Sequence, residues 1–194
     1  FPTRRSSDLE SHAYSYYFSD ELLKEWTWSE RYPGHAEIRK YINFDSEPKL
    51  FVDIGSYYGG FQYVMKHIFK NSRHILVDFP HQLARAAIFL TNSFPKAKIK
   101  TIYDLETLNR FFNENKTISE NFDFLLLSID FYDEFSDYFS KNENRVDLAT
   151  NFYSLGEMPE VYFKRYMNSE IMKKSKFLYF CNRYNYEFQN SYLK

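Results

Sequence analysis

Cysteine and glycine are both scarce in this chain of 194 residues, and neither sign of charge is in excess. The one cysteine, Cys181, excludes a disulfide framework and a cysteine-based zinc site, and it fits a reducing, cytoplasmic setting. Lys and Arg total 25 against 26 for Asp and Glu, so we expect no nucleic-acid partner. No apolar run approaches the roughly 18 residues that a membrane-spanning helix needs, so a membrane span is not expected.

Aromatic residues, by contrast, are abundant: 21 Phe and 18 Tyr bring the aromatic share to 21%. With 44% hydrophobic residues, the chain can bury a substantial core of a single domain. Three of its five glycines, Gly55, Gly59 and Gly60, lie within six positions of each other. A cluster in so glycine-poor a chain indicates a backbone that needs glycine there.

Short apolar runs alternate with amphipathic helical patterns. This alternation predicts an α/β domain with a mostly parallel sheet covered on both faces. Strands are expected over 49–54, 74–79, 98–102, 122–129, 146–152 and 176–181, and helices over 59–70, 81–93, 105–114 and 159–168.

The chain divides into three predicted parts. Residues 1–9 resemble translated sequencing-adapter sequence, and we expect a non-native tail. Residues 10–48 form an aromatic segment with helical stretches, and residues 49–194 form the α/β domain. We expect this domain to be a fragment without the last strands of its sheet.

The glycine cluster directly follows the first predicted strand and precedes a helix. Such a turn offers helix N–H groups and a positive dipole end to a ligand. The second strand ends in Asp78, 23 residues after Gly55, where a carboxylate can accept hydrogen bonds from ribose hydroxyls. The constellation predicts a nucleotide-type ligand; the alternative is a turn that is merely close-packed. No Lys-Ser/Thr pair follows the glycines, so phosphate transfer is disfavoured.

This pattern resembles the S-adenosylmethionine site of class I methyltransferases, which commonly show Asp/Glu-x-Gly-x-Gly-x-Gly. Asp53, Gly55 and Gly59 match that motif, whereas Tyr57 stands where the middle glycine is expected. The resemblance implies a Rossmann-like three-layer sandwich with S-adenosylmethionine as cofactor. It also implies a set of cofactor-binding residues: Asp53, Gly55, Ser56, Tyr57, Gly59, Gly60, Asp78, Phe79 and Asn151.

Three further segments are similar to the bacterial sugar O-methyltransferase family. They are Asp78-Phe79-Pro80 with Gln82-Leu83-Ala84, the run 147–158 with its Ser-x-x-Glu-Met ending, and Tyr179-Phe180-Cys181-Asn182-Arg183. The likeness implies methyl transfer to a hydroxyl of a sugar or glycan precursor.

In this family 146–152 would be the fourth core strand, 122–130 the third, and 98–102 an insertion. The alternative makes 98–102 the third strand and 122–129 the fourth. We favour the first assignment because the Ser-x-x-Glu-Met segment needs a strand before it.

Methyl transfer to a sugar hydroxyl needs a base, because the hydroxyl is a weak acid. Glu157 and His81, each just past a predicted strand, are the candidates. Glu157 could instead only complement a helix dipole, and His81 could be a surface residue. The predicted acceptor-binding residues are Ser154, Asn182 and Arg183; strand-end capping is the alternative for Asn151 and Ser154, and a surface salt bridge for Arg183.

No metal cluster is expected. The acidic residues of 130–137 fit a solvated loop or helix face.

Two functional alternatives stay open. A dinucleotide-dependent oxidoreductase would show Gly-x-Gly-x-x-Gly, which the spacing of Gly55, Gly59 and Gly60 fits poorly. A non-catalytic remnant would be consistent with Tyr57 inside the glycine motif.

Overall fold

The computed structural model describes residues 50–114, 121–141 and 145–181. The predicted tail 1–9, the aromatic segment 10–48, and Asn182 and Arg183 lie outside the described residues. Predictions that concern them stay predictions.

The described residues form six strands and six α-helices, with one helix between successive strands except for two between the last pair. The strands are β1 (Leu50–Ile54), β2 (Arg73–Asp78), β3 (Ile99–Ile102), β4 (Phe124–Ser128), β5 (Val146–Phe152) and β6 (Ser175–Cys181). The helices are α1 (Gly60–Ile68), α2 (Pro80–Ser93), α3 (Leu105–Glu114), α4 (Tyr132–Lys141), α5 (Glu160–Met167) and α6 (Glu170–Lys173). Short 3₁₀ turns follow β4 at Ile129–Phe131 and β5 at Leu155–Glu157.

All six strands pair in parallel, in the order β3-β4-β2-β1-β5-β6. The predicted α/β architecture is confirmed. Strand β4 lies beside β2 and β5 beside β1, which places 146–152 at the fourth core position and β3 at the sheet edge. The alternative counted 98–102 as the third strand and 122–129 as the fourth. That is their order along the chain, but in the sheet β4 and not β3 pairs with β2.

The central strands are apolar because both of their faces are covered. On one face Val52, Ile54 and Val77 pack with residues of α3, α4 and α6. On the other face Leu76 packs against Leu83 and Leu90 of α2, and a third cluster joins β1, β5 and α1. This two-sided burial is typical of parallel sheets and holds the carboxyl ends of the strands in one rigid row.

The chain runs from β1 to β2 on one side of β1, whereas β5 lies on the other side. The strand order thus reverses between β1 and β5, and ligands of open parallel sheets bind at such reversal points, beyond the carboxyl ends of the strands. Within the described ranges no helix is both long and apolar enough to cross a membrane.

Candidate functional site

The turn after β1 strongly favours glycine at position 55. Its φ is +74°, and its N–H donates to the carbonyl of Val77 on β2 (2.8 Å). A Cβ at this position would lie 2.0 Å from Oγ of Ser154. The absence of a side chain therefore lets the turns after β1 and β5 pack directly on each other.

Asp78 closes this turn from the neighbouring strand. Its Oδ2 accepts the N–H of Tyr57 (2.7 Å), and its Oδ1 accepts the N–H of Phe79 (2.7 Å). Tyr57 has φ +54°, so the residue at the expected middle glycine does adopt a glycine-like backbone. Burial raises the pKa of Asp78, although the two N–H groups and His81 lower it. A carboxylate offers about four acceptor positions, so Asp78 keeps acceptor capacity for a ligand.

Asp53 lies deeper, beneath the turn. Its carboxylate accepts from Thr150 Oγ1 (2.7 Å) and from Gln62 Nε2 (2.6 Å), and only 3% of the residue is exposed. Burial raises the pKa of Asp53 to about 7, against the lowering effect of both hydrogen bonds. These contacts tie β1 to β5 and α1, which supports the turn from below. Contact of Asp53 with a cofactor stays a prediction.

Asn151 and Ser154 join the ends of β1 and β5. Asn151 Nδ2 donates to the carbonyl of Ile54 (2.6 Å) and to Ser154 Oγ, and its Oδ1 accepts the N–H of Leu155 (3.0 Å). Ser154 Oγ also donates to Ile54 O (3.2 Å). The side chain of Asn151 is fully buried, and its hydrogen bonds connect the ends of β1 and β5. Its predicted contact with the cofactor, and that of Ser154 with the acceptor, are untested.

The two candidate bases lie at the same edge of the sheet. His81, in the first turn of α2, is exposed and stacks on Phe79 with ring centroids 5.8 Å apart. Glu157 is exposed in the 3₁₀ turn that follows β5. Both side chains are accessible beyond the carboxyl ends of β2 and β5, as a base for an incoming hydroxyl requires.

The residues around the glycine turn fit a nucleoside. Ser56 Oγ is buried in the turn, and the described chain supplies it with no hydrogen-bond partner. Helix α1 starts after Gly59 without a side-chain cap. Phe79 is 52% exposed beside Asp78, and an exposed ring next to a carboxylate matches the planar base and the hydroxyls of a nucleoside.

Two of the acidic residues after β4 have hydrogen-bond partners in the protein. Asp130 accepts from Ser128 Oγ (2.9 Å), and Asp133 accepts from Arg165 Nε (2.8 Å). Over the ranges that the structure describes, no three His, Cys, Asp or Glu residues group as metal ligands would. Asp130 lies in the 3₁₀ turn and Asp133 in the first turn of α4, and both residues are exposed.

Gln62, Thr150 and Tyr153 belong to this region although the sequence did not single them out. Gln62 and Thr150 bind Asp53, and Tyr153 follows β5 with φ +62°. The position of Tyr153, next to the matched Ser154, was the signal that could have identified it.

Comparison with known proteins gives local or remote similarity. No family model matches the chain. It is 43% identical over 37 residues to an acetone monooxygenase (methyl acetate-forming) of Gordonia sp. (strain TY-5), covering 19% of this chain and 7% of that protein. It is 57% identical over 30 residues to the FAD-binding monooxygenase VdtE of Byssochlamys spectabilis, covering 15% of this chain and 5% of that protein.

Two solved structures resemble this chain. The mitomycin 7-O-methyltransferase MmcR has a TM-score of 0.41 at 16% identity, over 74% of this chain and 35% of that one. The pyocyanin biosynthetic protein PhzM has a TM-score of 0.40 at 14% identity, over 72% and 32%. The chain thus spans about a third of the length of these two structures and less than a tenth of the two monooxygenases. None of these similarities assigns the chain to a family.

Proposed function

We propose that the chain binds S-adenosylmethionine and transfers its methyl group to a hydroxyl of a sugar or glycan precursor. The observation that carries the proposal is the position of Asp78. Its carboxylate closes β2 and binds the glycine turn of β1 through the Tyr57 N–H, beside the point where the strand order reverses. A carboxylate fixed at this place can accept hydrogen bonds from the ribose hydroxyls of a nucleoside cofactor.

The binding residues have distinct roles in this proposal. Asp78 accepts hydrogen bonds from the ribose hydroxyls, and Phe79 packs on the adenine ring. Ser56 supplies a hydroxyl that can hydrogen-bond the cofactor. Gly55 and Gly59 keep the turn free of side chains at φ +74° and +88°. S-adenosylmethionine, when bound, supplies a methyl group already activated on a sulfonium.

The remaining task of the protein is to orient the acceptor hydroxyl and to remove its proton. Glu157 is the proposed base: a carboxylate oxygen would take the hydroxyl proton as the acceptor oxygen bonds to the methyl carbon. The bond between that carbon and the cofactor sulfur would break, and S-adenosylhomocysteine would leave. His81 is the second candidate. The sugar class rests on the resemblance of the segments around Asp78, Ser154 and Glu157 to the bacterial sugar O-methyltransferase family.

A rate assay tests the role of Glu157. We expect Glu157→Gln to lower the rate of S-adenosylhomocysteine formation about 10²-fold or more, because the amide cannot take the proton. The assay would offer S-adenosylmethionine with a panel of methyl hexosides. Affinity for S-adenosylhomocysteine, measured by calorimetry, should stay within about twofold, since Glu157 does not bind the cofactor.

Glu160→Gln is the matched control, because Glu160 is a nearby acid that pairs with Lys164 at the start of α5. Its rate should equal that of the unsubstituted chain. An unchanged rate in Glu157→Gln with a large loss in His81→Gln would transfer the role of base to His81. Absence of hexoside-dependent turnover in the presence of bound cofactor would contradict the sugar acceptor.

A further inference from the structure

Two tyrosines in the described residues have a left-handed backbone: Tyr57 (φ +54°) and Tyr153 (φ +62°). They follow β1 and β5, the neighbouring strands between which the sheet order reverses. A non-glycine residue in this conformation has a strained backbone. Such strain persists where the surroundings fix the backbone, and it concentrates at functional sites.

Hydrogen bonds hold the turn around Tyr153 from both sides. The N–H of Tyr153 donates to the carbonyl of Cys181 on β6 (2.8 Å). Asn151 and Ser154 bind the carbonyl of Ile54 on β1, and the N–H of Leu155 returns to Asn151. The turn is thus fastened to both neighbouring strands, and the position of Tyr153 is set before any ligand arrives.

The side chain of Tyr153 does not fill the hydrophobic core, because the residue is 50% exposed. Phe79, 52% exposed, follows β2 on the other side of β1. Two strand spacings separate β2 from β5, about 10 Å. The glycine turn after β1 therefore lies between two exposed aromatic residues, one of which adjoins the ribose acceptor Asp78.

We propose that Tyr153 contacts the acceptor and selects for a ring, packing against the apolar C–H face of a sugar. This inference rests on the proposed function, which assigns the Phe79 side of the turn to the cofactor and leaves the β5 side to the acceptor. A tyrosine whose backbone is already held loses less entropy on binding, and its side chain offers a flat apolar face with a polar tip. Glycine or asparagine would adopt this backbone with less strain than tyrosine does.

Two measurements on four proteins test this assignment. Saturation-transfer NMR with methyl hexosides, and separately with phenol, reports on the acceptor, and calorimetry with S-adenosylhomocysteine reports on the cofactor. The proteins are the unsubstituted chain, Tyr153→Gly, Tyr153→Phe and Tyr103→Ala. Tyr103 is a matched control, since it is 61% exposed directly after β3, four strand spacings or about 20 Å from β5.

We expect the unsubstituted chain, Tyr153→Phe and Tyr103→Ala to bind at least one hexoside alike. Tyr153→Gly should lose about fivefold or more of that affinity, as expected for removal of an aromatic contact. Its melting temperature should not fall, because glycine accepts φ +62° without strain. Its affinity for S-adenosylhomocysteine should be unchanged.

Equal hexoside binding by Tyr153→Gly would overturn the inference, as would hexoside binding by none of the proteins while S-adenosylhomocysteine binds. Binding of phenol in preference to hexosides would overturn the sugar class. A parallel loss of S-adenosylhomocysteine in Tyr153→Gly would place the ring on the cofactor and not the acceptor. Failure of the unsubstituted chain to bind S-adenosylhomocysteine contradicts the proposed function instead, whatever the hexoside result.

Discussion

Replacing Gly55 with alanine is expected to lower the free energy of unfolding by about 3 to 5 kcal/mol. Two effects add. The backbone at φ +74° disfavours any side chain, and the new Cβ would lie 2.0 Å from Oγ and 2.5 Å from Cβ of Ser154. Ser154 cannot simply move away, because its Oγ is bonded to Ile54 and Asn151. Urea unfolding followed by circular dichroism measures the loss.

Gly59→Ala is the matched control for this prediction. Gly59 has a similar φ of +88°, but the nearest atom to its added Cβ would be Cδ1 of Leu90 at 3.2 Å, a much milder contact than the one at Gly55. We expect a loss of about 1 to 2 kcal/mol, mostly from the backbone. Equal losses in the two variants would show that the contact between the turns after β1 and β5 is not the main cause of the destabilisation.

A second substitution isolates the contact itself. Ser154→Gly removes both atoms that the new methyl group meets, so the double variant should be less damaged than the sum of the single changes. We expect a coupling of about 2 kcal/mol in the double-mutant cycle. Additive losses would contradict direct packing of the two turns.

Asp53→Asn is expected to stabilise the protein at pH 8 by about 2 to 4 kcal/mol, with little effect at pH 4. Burial raises the pKa of Asp53 from 3.8 to about 7 in the folded chain. At a pH between 3.8 and about 7, the unfolded chain has released the Asp53 proton, whereas the folded chain still retains it. The contribution of this group is therefore complete below about pH 3.8, is lost as the pH rises to about 7, and stays lost above that value.

The asparagine variant avoids this loss because its amide never ionises. Its carbonyl oxygen can still accept a hydrogen bond from Gln62 or Thr150. Urea unfolding of both proteins at a series of pH values should give a difference that grows from pH 4 to 7 and is constant beyond. A difference independent of pH, or a variant less stable at pH 8, would contradict the burial of an ionisable Asp53.

The difference between the two proteins is more informative than the pH profile of either one. Burial also lowers the pKa of His74 well below 6.5, and its stabilising contribution is lost as the pH falls below that value. The titrations of Asp53 and His74 thus oppose each other in the acid range. Because His74 is present in both proteins, its effect cancels in the comparison.

The central strands of the sheet could be predicted because their apolar runs are nearly continuous. β1, β2 and β4 are buried along nearly their whole length, so sequence pattern and burial coincide. Predicting the strand order required the Ser-x-x-Glu-Met segment after β5 as well as the pattern of apolar runs. Helix α4 was not assigned, although Tyr132, Phe135 and Phe139 mark its buried face at helical spacing. The acidic residues between them predict only a solvated loop or helix face.

The glycine turn and Asp78 were predictable as a pair, but their contacts were not. Tyrosine is uncommon at positive φ, so nothing in the sequence indicated that Tyr57 would adopt φ +54° and donate its N–H to Asp78. The partners of Asp53 come from elements 9 and 97 residues away, and only the folded chain brings them together. The positive φ of Tyr153 is likewise not indicated by the sequence.

Calorimetric titration with S-adenosylmethionine, S-adenosylhomocysteine and NAD tests the central claim most directly. We expect the first two to bind and NAD not to bind. Asp78→Ala should lose about tenfold or more in affinity, because it removes the acceptor of the ribose hydroxyls. Asp78→Asn should lose less, and Asp104→Ala, which removes the acid that follows β3, should bind as the unsubstituted chain does.

Circular dichroism of each variant establishes that the protein is folded. A folded, unsubstituted chain that binds neither S-adenosylmethionine nor S-adenosylhomocysteine would contradict the account, and so would NAD binding that depends on Asp78. Binding of the two sulfur nucleosides, lost in Asp78→Ala and kept in Asp104→Ala, is the result the account predicts.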